Sequence, residues 1–174
     1  METRHYIVKK FDELTEGQQQ KVLEKYCDIN VDHEWWESEY DDAANILLKI
    51  TGFGLDRDKG CTGEFIEYAE DTAKKILEDH GQACDTYATA VGYYDEMRAL
   101  WERLPEKLDA DGYDDNEYDR EQAEADIDGE FLRSILEDYA SILQRQFEYL
   151  TTEEAIRETL TDNDYDFTEA GQID

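Results

Sequence analysis

Glu117, Glu121, Glu124 and Asp128 recur at i, i+4, i+7 and i+11, a spacing that puts four carboxylates on one face of a helix. At the helical rise the row covers about 16 Å, or one charge per ~5.5 Å. A strand of duplex DNA carries one phosphate per ~3.4 Å of axis. The chemistry open to such a row is imitation: it can hold negative charge where a nucleic-acid-binding protein expects phosphate. Asp111, Asp114 and Asp115 continue the acid through the preceding segment, and Asp41, Asp42, Glu67, Glu70 and Asp71 add more elsewhere. A solvated helix face kept acidic for solubility has the same appearance. Like charges at i, i+4 oppose the helix by only a few tenths of a kcal/mol per pair.

Other chemistry fares less well. Asp56, Asp58, Gly60, Thr62, Glu64 and Glu67 fall at positions 1, 3, 5, 7, 9 and 12 of a segment read as a loop between two helices, the places where a calcium-binding EF-hand puts its oxygen ligands. Position 6, which needs glycine for a sharp turn, is Cys61, and position 8 is Gly63 instead of an apolar residue. The loop is therefore a weak metal candidate, and no cofactor is expected. His33-Glu34 does not extend to H-E-x-x-H, and no P-loop, G-x-S-x-G or dinucleotide fingerprint occurs. Acidic residues are too abundant for any one pair to mark a catalytic dyad. The expectation is a protein without catalytic activity.

Forty-seven Asp and Glu stand against seventeen Lys and Arg, for a formal net charge of -30. Such a surface repels nucleic acid and attracts basic protein surfaces. Excess acid also serves solubility or a high-salt habitat. Hydrophobic residues at 40% and twelve tyrosines argue for a packed core over wholesale disorder. The 174 residues fit one domain, 1–174, with an acidic loop at about 106–118. Cys27, Cys61 and Cys84 form no C-x-x-C pair, which disfavours a disulfide framework or a structural zinc site. Cys84 reads as a small core residue. Neither a signal-peptide core nor a membrane span is visible, so a cytoplasmic location is expected.

The elements that must position these groups are mainly helical. His5–Phe11 alternates as a short strand. Thr15 and Gln18 form a capping box that opens a helix burying Val22, Leu23, Tyr26 and Ile29. Asp32 caps a second helix, with Trp36, Tyr40, Ala43, Ala44, Leu47 and Ile50 at helical spacing until Gly52-Phe53-Gly54 stops it. A third helix over 65–79 buries Phe65, Ile66, Ala69, Ala73, Ile76 and Leu77, and His80-Gly81 ends it. A fourth over 82–104 turns Tyr87, Ala90, Val91, Tyr94, Met97 and Trp101 inward, with Pro105 at its end. From about Asp119 the series Ala123, Ile127, Phe131, Ile135, Tyr139, Ile142, Leu143, Phe147 and Leu150 describes one long helix. Thr151 and Thr152 begin a last short helix ending near Leu160. The tail, with Tyr165, Phe167 and Ile173, reads as strand and turn able to pair with the N-terminal strand. The expected fold is mainly α: a multi-helix bundle with one long helix and a small β element joining the N- and C-terminal segments.

Two stretches carry a family resemblance. Phe11-Asp12-Glu13-Leu14 through Asn30-Val31-Asp32-His33-Glu34-Trp35-Trp36 resembles the opening of a family of small phage and prophage proteins, often labelled antitoxins of a toxin–antitoxin stability system. That opening reads F-D-E-L, a helix, then N-x-D-x-E-W-W. Tyr149 to Ile156 and Asp166 to Gly171 are similar to the family's closing segment. The family's central Gly-Phe-Trp-Ser-Gln-Gly-Asp-Gly-like loop is reduced here to Gly52-Phe53-Gly54 and Gly63, without the Trp or the Gln-Gly-Asp. The resemblance implies a phage context, in which small acidic proteins inhibit host defence enzymes, and it implies no enzymatic activity.

Three functions follow as expectations. The first is an acidic inhibitor that mimics DNA or RNA in the groove of a host nucleic-acid-binding defence enzyme, of the anti-CRISPR or anti-restriction type. Asp111, Asp114, Asp115, Glu117, Glu121, Glu124 and Asp128 would form its binding face. The second is an antitoxin neutralising a basic toxin. The third is an oligomeric scaffold or phage structural protein, for which a homodimer is one form. Trp35 beside Trp36 bears on all three, because both cannot face one core and an exposed tryptophan is a common interface anchor.

Overall fold

The computed structural model describes residues 7–58 and 60–173. Its contacts gather into two compact units: residues 36–143, and residues 1–35 together with 144–174. Six α-helices are present among the described residues, and the long one is Glu117–Leu150. The mainly helical class read from the sequence is correct. No helix of the described residues is long and apolar enough to cross a membrane.

In the unit formed by the two ends, β1 (Lys9–Lys10) pairs antiparallel with β4 (Asp166–Phe167), Lys9 opposite Phe167. This is the expected joining of the termini, although the start of the His5–Phe11 strand lies outside the described residues. Lys10 fixes the pairing by reaching Asp166 at 2.8 Å and Asp164 at 3.1 Å. Helix α1 (Glu16–Lys25) opens on the expected capping box, with Thr15 N–H donating to Gln18 Oε1 at 3.0 Å. Val22 and Leu23 pack with Phe11, Leu14, Ile156, Leu160 and Phe167 in a small core. Asn30 is buried: it donates to Leu150 O at 2.9 Å and accepts from the Thr159 hydroxyl at 2.6 Å. Helix α6 (Glu153–Asp162) is capped by Thr152.

In the other unit, α2 (Glu37–Asn45) is shorter than expected and begins after Trp36, with no cap from Asp32. The chain leaves the helix at Leu47, whose φ of 63° is left-handed and costs a non-glycine residue roughly 1–2 kcal/mol. It continues as β2 (Leu48–Gly54), which pairs with β3 (Gly60–Phe65) across a short 3-10 turn at Asp56–Asp58. The sequence reading placed helix, stop and loop here. The hairpin prevails because Leu48 and Ile50 are buried while Lys49 and Thr51 are exposed, an alternation of period two that a strand satisfies and a helix cannot. Gly63 is obligatory at this crossing: a Cβ there would lie 2.5 Å from Lys49 O and 2.9 Å from a Leu136 methyl.

Helices α3 (Ala69–Asp79) and α4 (Asp85–Arg103) follow, each starting three to four residues later than expected. Ile66 and Val91 are exposed rather than inward, and Thr86 and Tyr93 take the buried places. Cys84 is an exposed residue at the start of α4, not a core residue. Cys61 is half-buried, and burial pushes its thiol up to about 11, which makes it a poor nucleophile at neutral pH. The core joins Ile46, Leu48 and Ile50 to Ala73, Ile76, Ala90 and Tyr93, and to Phe131, Ile135 and Tyr139 of α5 (Glu117–Leu150).

Candidate acidic interface

The segment from Pro105 to the start of α5 is acidic, as expected, and it has a defined shape. Asp109 Oδ1 accepts from the backbone N–H groups of Asp111 at 2.8 Å and Tyr113 at 2.9 Å, making a turn that Gly112 completes at φ +86°. Leu108 and Asp114 form an isolated antiparallel bridge.

Arg120 staples this loop to the helix ends on either side. It is 8% exposed, and its guanidinium lies 4.3 Å from the centroid of the Trp101 ring. It donates to Leu104 O at 3.1 Å and pairs with the Asp114 carboxylate. Asp114 also accepts from Lys107 N at 2.9 Å and Asn116 N at 3.0 Å. Those donors pull its carboxyl down to about 2, the Lys107 N–H first and Arg120 next.

Asp114 is thus not a free member of the acidic face. Its side chain is only 9% exposed and its charge is spent inside the loop. Asp115 is partly spent as well, on Lys107 at 3.0 Å. Asp111, Glu117 and Glu121 are exposed, as a binding face requires. Glu124 and Asp128 are half-buried, because the row runs along the border of the apolar stripe Ile127–Phe131–Ile135. Asp128 accepts the Tyr93 hydroxyl at 3.0 Å.

Trp35 is not an exposed anchor. It is 9% exposed, and its ring packs on Phe147 at 5.7 Å. Trp36 is half-buried against Phe53 at 5.5 Å. The two tryptophans satisfy the rule that both cannot face one core by serving one unit each. Among the described residues the exposed aromatics are others: Tyr113, Tyr118, Tyr149, Tyr68 at 77% and Trp101 at 47%. The spacing of Trp101 on α4 predicted an inward ring, and Tyr68, expected within the third helix over 65–79, is instead the residue just before α3.

The weak metal candidate does not survive as an EF-hand. Glu64 lies on β3 opposite Lys49 and pairs with it at 3.1 Å, so strands replace the flanking helices that the motif requires. Asp56 and Asp58 bound the hairpin turn, and Glu67 follows β3.

One constellation escaped the sequence reading. His80 Nδ1 lies 2.7 Å from Thr86 Oγ1, and His80 Nε2 lies 3.7 Å from Asp42 Oδ2. The order hydroxyl, imidazole, carboxylate is that of a nucleophilic relay. Thr86 is fully buried, so its hydroxyl is out of reach of a substrate. Asp42 instead accepts the buried Tyr139 hydroxyl at 2.6 Å, and the cluster ties α2, α4 and α5 together. Comparisons with protein-family models, with curated proteins and with solved structures find no match for this chain.

Proposed function

We propose that this protein is an acidic binding protein, not an enzyme, whose loop 106–118 and the first turns of α5 enter the nucleic-acid groove of a basic enzyme and exclude DNA or RNA. The observation that carries the reading is how the charge is mounted. Between Glu106 and Glu130 twelve Asp and Glu accompany two cations, Lys107 and Arg120. Both cations are committed internally, to Asp115 and Asp114. The remaining carboxylates stand on a stapled loop and on a helix anchored by Phe131 and Ile135, which lowers the ordering cost of binding. Solubility alone needs charge but no such scaffold. Tyr113 and Tyr118, both largely exposed, lie among the acids, and interfaces are rich in tyrosine. The resemblance of the chain ends to phage proteins supports a host defence enzyme as the target.

The test is competition. Proteins captured from a bacterial lysate at low salt are assayed singly for duplex DNA binding, with and without this protein. Loss of DNA binding at low salt, in proportion to the protein added and reversed by excess DNA, is the expected result. A captured enzyme that holds DNA equally well under saturating protein overturns the proposal, and recovery of one small basic toxin transfers it to an antitoxin.

A further inference from the structure

A groove of about 380 Å³ opens in the unit formed by residues 36–143, between the start of α3, the face of α4 and the first half of α5. Its volume falls in the ~300–1,000 Å³ range of small-ligand sites. Its lining is chiefly of two kinds, with Ala69 and Met97 between them. Tyr68, Tyr93, Tyr94 and Trp101 supply aromatic rings, and Glu70, Glu124 and Asp128 supply carboxylates.

Each kind is unusual alone and specific in combination. An aromatic groove for an apolar ligand does not hold three carboxylates, since bringing an apolar group against them would strip their water without return. A carboxylate cluster for a metal ion does not need four rings. Rings and carboxylates together select an organic cation: the ring faces attract it through their quadrupoles while the carboxylates neutralise it.

We propose that this groove receives an arginine side chain of the partner protein, an inference that rests on the acidic-interface reading and gives it a defined pocket. Arginine is preferred to lysine because its planar guanidinium stacks on rings and meets carboxylates in a fork at the same time. The chain displays the same chemistry on one of the groove's own rings: the Arg120 guanidinium lies 4.3 Å from the Trp101 ring centroid and pairs with Asp114, so the incoming guanidinium is assigned to the Tyr68 and Tyr94 rings. Acids in and around the groove also bear on its Tyr94 phenol. Tyr94 is held above the ordinary tyrosine range by burial first and then by Glu70, Asp71 and Glu78. Asp128 is already turned toward the Tyr93 hydroxyl and the charge of Glu124 is shared with Arg120, which leaves Glu70 as the main ion-pair acceptor and Glu124 as the second.

The test uses the intact protein and two amidated hexapeptides, all-arginine and all-lysine, with binding read by calorimetry and by the shift of the Trp101 indole N–H resonance. The arginine peptide is expected to bind more tightly and to move that resonance. Tyr68→Ala and Glu124→Gln are each expected to weaken it roughly threefold to thirtyfold. Tyr68 is largely exposed, so its removal leaves the fold intact. Glu117→Gln with Glu121→Gln, outside the groove, is expected to reduce binding of both peptides alike. Equal affinity for the two peptides, or no effect of Tyr68→Ala and Glu124→Gln, overturns the arginine site. If the Glu117/Glu121 variant still weakens binding in that case, the acidic interface stands without its pocket. If neither set of variants matters, both readings fall.

Discussion

Arg120 shows how one side chain can set the meaning of its neighbours. From spacing, Asp114 belongs to a row of equivalent acids. From contacts, it is the counter-ion that lets a buried guanidinium close the loop. The consequence is a sign for pH dependence. A carboxyl held at about 2 when folded, and near its ordinary value of 3.8 when unfolded, binds fewer protons folded than unfolded across that window. Its stabilising contribution is therefore complete above pH ~4 and is lost as pH falls toward ~2. Wild type and Asp114→Asn are expected to differ most in melting temperature above pH ~4, with the gap closing toward pH ~2. A gap independent of pH contradicts the assignment. Asn30 makes a different kind of prediction. Asn30→Ala leaves the Leu150 carbonyl without its side-chain donor and the Thr159 hydroxyl with only the Ala155 carbonyl, at 3.1 Å, and denaturant unfolding is expected to show a loss of about 1–3 kcal/mol.

At the level of elements, the hairpin β2–β3 turns on Gly63. The Cβ of Gly63→Ala would collide with backbone at Lys49 as well as with Leu136, and overpacking of this kind costs roughly 1–3 kcal/mol. Urea unfolding of the variant measures it, and wild-type stability would show that the strands part without cost. The same hairpin marks the limit of what could be read from residues alone. Ala43, Leu47 and Ile50 fit a helix as well as Leu48 and Ile50 fit a strand, and residues 60–65 have a loop's composition. Only the pairing of the two strands and the left-handed turn at Leu47 decide between them. Where the signal was local chemistry it was legible. The capping box at Thr15, the cap at Thr152 and the apolar series of α5 are all where their residue types put them. The acidic face was legible in part for the same reason. Helical spacing placed Glu117 and Glu121 on exposed positions, but nothing local revealed that Asp114 is consumed by Arg120. Nor did the doublet Trp35–Trp36 show that both rings find cover, or the isolated Tyr68 that it lines a groove.

For the whole molecule, a net charge of -30 on 174 residues is a standing repulsion that the cores must overcome. Part of the acid is used internally, where Asp42 and Asp128 accept tyrosine hydroxyls and Asp138 accepts the Thr89 hydroxyl at 2.6 Å. The rest repels at long range. Screening shortens from about 30 Å at 0.01 M salt to ~3 Å at 1 M, so the melting temperature is expected to rise across that range. A flat response would mean that the carboxylates are already neutralised in the fold. The same long-range field would speed the approach of a basic partner and make its binding steeply salt-dependent.

The central claim is that this field is directed by the loop and the start of α5, rather than spread over the surface. The most direct measurement is a salt series of affinities for an enzyme that the protein displaces from DNA, comparing wild type with Asp111→Asn/Glu117→Gln/Glu121→Gln. Three charges of thirty change the overall field little. The account predicts roughly a tenfold or greater loss of affinity at low salt, a shallower salt dependence and an unchanged circular dichroism spectrum. Equal affinity and equal slope for the two proteins would contradict it and return the acidity to a property of the surface as a whole.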